Sequence, residues 1–175
     1  MNEIKGIIYS VLIDFFEIHI PQQEFMKLKK LQEPEFNILK EAWVMSNHYP
    51  LDYFRYFEKI FFIDAGKHLA GRMMGQYFNI YMNTEPEKFL KNFVLIFPQI
   101  WGLGKIEYHI HKEAAEFMIT AGDVIDNFRQ FFKAFFENII LLAGGQQVTI
   151  NEPVKADSPQ ILSYECLWKV KPEHE

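Results

Sequence analysis

Residues 105–145 read KIEYHIHKEAAEFMITAGDVIDNFRQFFKAFFENIILLAGG, and the fold turns on how that stretch changes its period. Ile106, Tyr108 and Ile110 alternate with Glu107, His109 and His111, the two-residue repeat of a half-buried strand. Phe117 and Ile119 continue the alternation on an antiparallel return strand, which makes a hairpin. Past Asp123 and Asp126, read as helix cap and first-turn acid, the period lengthens. Phe128, Phe131, Phe132, Phe135, Phe136, Ile139 and Ile140 then form the apolar stripe of one long helix. Ala143-Gly144-Gly145 ends it in the manner of a C-terminal glycine cap.

Working outward, Val148 and Ile150 mark a third strand, and Leu162, Tyr164, Cys166, Trp168 and Val170 a fourth. Upstream, Glu85-Pro86-Glu87 opens a helix with Phe89, Leu90, Phe93, Val94, Phe97 and Trp101 inward, kinked or ended at Pro98. Leu69, Met73, Tyr77 and Tyr81 recur at every fourth position of an earlier helix. Gly71 and Gly75 lie on its neighbouring face, where small residues let another element approach closely. Asn47-His48-Tyr49-Pro50 reads as a helix start ahead of Tyr53, Phe54, Phe57, Ile60 and Phe61. Ile4, Ile7, Ile8, Val11, Leu12, Phe15 and Phe16 predict a first helix that stops before Pro21. A short helix with Phe25, Met26 and Leu28 follows, then a turn or two around Phe36, Leu39 and Trp43. Helices, a hairpin, one long helix and a second hairpin together predict a single α+β domain over residues 1–175. Its helical layer packs on one face of a four-stranded antiparallel sheet.

Composition narrows the function. The 175 residues include 18 Phe, 8 Tyr and 3 Trp, more rings than a small core requires, which leaves open an apolar pocket or an apolar partner surface. Cys166 is the single cysteine, so no disulfide closes within the chain and a reducing, cytoplasmic setting is expected. A net charge of −5, with basic residues gathered only at Lys27, Lys29 and Lys30, argues against nucleic acid. Asp14 and Pro98 interrupt the longest apolar runs, Ile7–Phe16 and Phe93–Leu103. Neither approaches the ~20 residues of a membrane span, and no signal peptide is expected.

Catalytic patterns are wanting. There is no Gly-x-Ser-x-Gly elbow, and Cys166 sits mid-strand rather than at a helix start. Gly102-x-Gly104 and Gly144-Gly145 lack the strand–loop–helix setting of a phosphate loop. His109 and His111 share one strand face and could supply two corners of a metal site, but their neighbours Lys105 and Glu107 make that face read as solvated.

The order of elements resembles a known superfamily. Tyr49-Pro50 ahead of an aromatic helix, then Ala65 to Gly75 around Leu69-Ala70-Gly71, is similar to a poorly characterised bacterial family described from myxobacteria. Ala143-Gly144-Gly145, Val148-Thr149-Ile150 and Tyr164-Glu165-Cys166-Leu167-Trp168 resemble 4-vinyl reductase domains, relatives of the haem–nitric-oxide-binding (H-NOX) domains and the small TRAPP subunits. The resemblance spans roughly residues 49–170. It implies helices on a four-stranded sheet with an apolar pocket between them, in proteins that bind haem, small hydrophobic molecules, acyl chains or partners. Haem-binding members carry a histidine on the helix before the first hairpin and a Tyr-x-Ser-x-Arg strand. Here the helix reads Phe93-Val94-Leu95-Ile96-Phe97. The strand reads Tyr108-His109-Ile110-His111-Lys112, so only Tyr108 matches fully. No cofactor is expected.

The sequence thus leads to a non-catalytic sensory or regulatory domain holding a small hydrophobic ligand between helices and sheet. Phe93, Phe97, Trp101 and Tyr108 are its expected walls. The alternative is a structural module that docks a partner or forms a homodimer through an aromatic face and the Gly71–Gly75 pair.

Overall fold

The computed structural model describes residues 3–5, 14–15, 18–19, 22, 48–50, 62–102, 105–120, 127–152 and 161–170. Helix α1 (Phe62–Tyr77) packs on α3 (Asn127–Leu142), which together with α2 (Pro86–Ile100) covers one face of an antiparallel sheet. The sheet runs β4 (Lys105–Ile110), β5 (Ala114–Thr120), β7 (Ile161–Lys169) and β6 (Gln146–Asn151), in that spatial order. This is the α+β arrangement that the change of period predicts.

Register carries the alternation across the sheet. Tyr108 lies opposite Phe117, which lies opposite Tyr164, while Ile110, Ala115 and Cys166 form the adjacent row. Those rows face the helices. Glu107, Met118 and Ser163, and His109, Glu116 and Glu165, lie on the outer face. The β4–β5 turn is pinned by His111 N–H donating to the Ala114 carbonyl at 2.7 Å and by Trp168 N–H donating to the Glu113 carbonyl at 3.0 Å.

α1 and α3 pack at their backbones. Gly66 is the reason, since a Cβ there would stand 2.5 Å from the Phe131 carbonyl oxygen. Gly71 and Gly75 have nothing within 4 Å of such a Cβ, so the close approach falls on a glycine outside the expected pair. α3 ends at Gly144, φ 105°, with Gly144 N–H on the Leu141 carbonyl and Gly145 N–H on the Ile140 carbonyl at 2.9 Å. Those are the two bonds of a Schellman cap. The connection between α1 and α2 docks there, through Asn83 N–H to the Leu142 carbonyl at 2.9 Å.

Three expectations are corrected. Ile4 belongs to a strand, β1 (Glu3–Lys5), and helical backbone is found at Asp14, Phe15, Ile18 and His19. His48–Pro50 is likewise a strand, β2, rather than a helix start. Trp101 leaves α2 for the two-residue strand β3 (Trp101–Gly102). The cause is common to all three: β1 pairs with β2 on one side and β3 on the other, Ile4 opposing both Tyr49 and Trp101. Hydrogen bonds to partners distant in sequence override the local helical signal. Pro50 is tolerated because β2 is an outer strand among the described residues. The predicted helices around Phe25, Phe36 and Tyr53–Phe61, and the caps Asp123 and Asp126, lie outside the described residues.

Candidate functional site

Positions 89, 93 and 97 fall on one face of α2, and that face is aromatic throughout. Phe89 and Phe93 stack at 5.5 Å, and Phe93 meets Phe97 edge-on at 5.6 Å. The facing stripe of α3 closes on them, with Phe93–Phe135 at 5.8 Å and Phe97–Phe132 at 6.2 Å. Below, Phe136 stacks on Phe117 of β5 at 4.8 Å and meets Tyr164 of β7 at 5.5 Å. The rings from α2 to the sheet form one continuous, buried cluster.

The cluster reaches the surface beside a single-turn 3₁₀ helix, Asn79–Tyr81. Half-buried Phe78 packs on Phe89 at 5.5 Å and on Phe93 at 6.3 Å, and half-buried Tyr81 packs on Phe89 at 5.7 Å. Around them Tyr77, Ile80 and Met82 are 51%, 74% and 39% exposed, an apolar rim that water covers at a cost. The Thr84 hydroxyl donates to the Tyr81 carbonyl at 2.8 Å and holds the turn closed on itself.

Polar groups inside are few. The Tyr164 hydroxyl donates to the Arg129 carbonyl at 3.1 Å, and burial pushes its pKa above the usual phenol range, so it stays a neutral donor. Among the described residues, Trp168 Nε1 and His68 Nε2 are buried without a hydrogen-bond partner. Burial lowers the His68 pKa, with Arg72 and His19 adding and Asp14 opposing. His68 rests on Phe15, which stacks on His19 at 4.2 Å. Burial, with Glu165 nearby, pushes the Cys166 thiol up, so it remains protonated and un-nucleophilic. A thiol reagent at neutral pH should label Cys166 only as the chain unfolds; rapid labelling of the native protein would contradict its burial.

Of the four residues expected at the site, Phe93 and Phe97 are brought together inside this cluster, 0% and 2% exposed. Tyr108 shares the inner face, opposite Phe117, but stands 41% exposed on an outer strand of the described sheet. Trp101 sits on β3, opposite Ile4. Phe78 and Tyr81 were not foreseen. The unbroken apolar letters Tyr77-Phe78 and Ile80-Tyr81-Met82 after a helix were the available signal. His109 lies on the outer face beside Glu116 and Glu165. Among the described residues, no group of three or more His, Cys, Asp or Glu is placed to hold a metal. No helix among them is long and apolar enough to cross a membrane.

This architecture is the H-NOX fold. The structure superposes on an oxygen-binding H-NOX domain related to soluble guanylate cyclases with a TM-score of 0.69 at 12% identity, covering 98% of this chain and 97% of that one. The Fe(II) unliganded H-NOX protein from K. algicida gives 0.67 at 10% identity over 98% and 100% of the two chains. The Shewanella woodyi H-NOX in its Fe(II)CO state gives 0.62 at 13% over 97% and 96%. No family model and no curated protein matches the sequence, so nothing supports the vinyl-reductase or TRAPP side of the resemblance.

The last two of those neighbours are Fe(II) proteins, and a haem iron needs an axial ligand from the protein. The helix that runs to the first hairpin, α2, buries Phe89, Leu90, Phe93, Val94 and Phe97, and so offers carbon alone. On the strand, Ile110 and Lys112 replace the serine and arginine of the haem signature, and Lys112 is exposed. The residues present do not fit a haem held in that way. Haemin added to the purified protein is therefore expected to give no stoichiometric Soret band. A strong band that survives His109→Ala and His111→Ala would contradict this, and its loss in either variant would make the strand histidines ligands.

Proposed function

We propose that the chain is a non-catalytic sensory or regulatory domain whose input is a small apolar molecule, taken up between helices and sheet without haem iron. The observation that carries this reading is the aromatic cluster of α2 and α3 reaching solvent at one half-buried rim, Phe78 and Tyr81, under an exposed apolar turn. Sites for small apolar molecules are in general lined by apolar rings with few polar groups. The H-NOX fold supports the sensory class. The ligand slides beneath the Asn79–Tyr81 turn and rests against Phe89 and Phe93, with Phe97 deeper. The change in packing passes to α3 and the sheet through Phe135, Phe132 and Phe136.

Thermal shift with decanoate, indole and naphthalene tests it. A ligand at about a hundredfold its Kd stabilises by about 2.7 kcal/mol, and a chain of this size should gain roughly 5–10 °C. Phe78→Ser, at the rim, should keep the fold and at least halve that gain. Absence of any shift in the unsubstituted protein would reject the pocket.

A further inference from the structure

β4 is one of the two outer strands of the described sheet, β6 being the other, and no described strand pairs with its free side. Its hydrogen-bond phase is set by the turn: His111 N–H bonds the Ala114 carbonyl, which makes 111 and 114 a hydrogen-bonded pair. In an antiparallel ladder such pairs alternate. Positions 109 and 107 therefore bond inward to Glu116 and Met118, while Ile106, Tyr108 and Ile110 aim their N–H and C=O groups away from β5. Tyr108, at the centre of that free row, is 41% exposed, and Glu107 and His109 on either side are exposed as well.

We infer that β4 is the interface for a second copy of this chain, pairing antiparallel about a two-fold axis at Tyr108. The sequence of the strand selects both partner and register. With the axis at Tyr108, each Ile106 lies opposite the partner's Ile110, each Tyr108 opposite the partner's Tyr108, and each Glu107 opposite the partner's His109. Opposed residues share a face, so isoleucines meet isoleucines on the helix side, and acid meets imidazole on the outer side. The N–H and C=O groups of residues 106, 108 and 110 that point away from β5 fall into register for about six backbone hydrogen bonds. Moving the axis one residue either way sets Glu107 against Glu107, or His109 against His109. Moving it two residues shortens the overlap. An unrelated strand has no reason to match this pattern of charges, whereas a second copy matches it by symmetry. The result is a sheet continuous across two chains, with the helical layers of both on the same side.

Sedimentation equilibrium over about 1–500 μM should show a mass rising from 20.8 kDa toward twice that value. Tyr108→Pro removes an N–H that points away from β5, a place where an edge strand accepts proline. It should keep the circular dichroism of the parent yet remain monomeric. Should Tyr108→Pro unfold, the charge variants still decide. His109→Glu places carboxylate against carboxylate twice and should raise the dimer dissociation constant by about tenfold. The double variant Glu107→Lys/His109→Glu should restore it to within about threefold. A chain monomeric at every concentration overturns the inference, as does a dimer indifferent to both Tyr108→Pro and His109→Glu.

Discussion

Phe97→Ala is expected to cost about 3–5 kcal/mol, the full loss of a buried ring. Phe97 is 2% exposed and touches rings on its own helix and on α3, Phe93 at 5.6 Å and Phe132 at 6.2 Å. Removing it forfeits the transfer free energy of the ring and the contacts its neighbours made with it, since two helices and a sheet cannot collapse fully into the gap. Urea denaturation at unchanged m-value measures the effect. The same truncation at the rim, Phe78→Ala, should cost distinctly less, because Phe78 is only partly buried. Equal losses at both positions would mean that the cluster has no open end.

The second large effect is at Gly66. Gly66→Leu drives a side chain into backbone, with the Phe131 carbonyl oxygen 2.5 Å and the Phe135 nitrogen 3.2 Å from the new Cβ. A flexible side chain could swing aside, but a helix cannot, so α1 and α3 must separate. The cost should reach the upper end of the usual 1–3 kcal/mol for overpacking, or pass it. Gly71→Ala, five residues along the same helix and on another face, should have the opposite sign. Its Cβ meets nothing within 4 Å, and leaving glycine in a helix gains about 0.5–1 kcal/mol. Paired denaturation curves decide this, and destabilisation by Gly71→Ala would show that its face is occupied.

Much of this was legible in the letters, and the failures share a cause. β4, β5, β6 and β7 were readable because each carries its own alternation, and α3 because its phenylalanines hold one stripe to a glycine stop. β1, β2 and β3 were not readable, because strands of two or three residues exist only through partners far along the chain. The glycine spacing that drew attention to Gly71 and Gly75 says nothing about which face meets α3, and that face holds Gly66. At the candidate site, helical spacing places Phe93 and Phe97 together, whereas no period could place Phe78 and Tyr81. The 3₁₀ turn breaks the four-residue repeat that would have put Tyr77 and Tyr81 on one side; Tyr77 turns to water and Tyr81 turns in. Alternation puts Tyr108 on the inner face, but sequence does not reveal that its strand is an outer one among the described strands.

The central claim is that the aromatic interior, not an iron, receives the signal. An aromatic ¹H–¹³C spectrum of the phenylalanine-labelled chain, titrated with decanoate and with indole, tests it most directly. Saturable shift changes on Phe78, Phe89 and Phe93, spreading to Phe97 and Phe135, are the predicted result. Rings that stay unperturbed at saturating ligand, or a spectrum broadened in this region only on adding haemin, would contradict it.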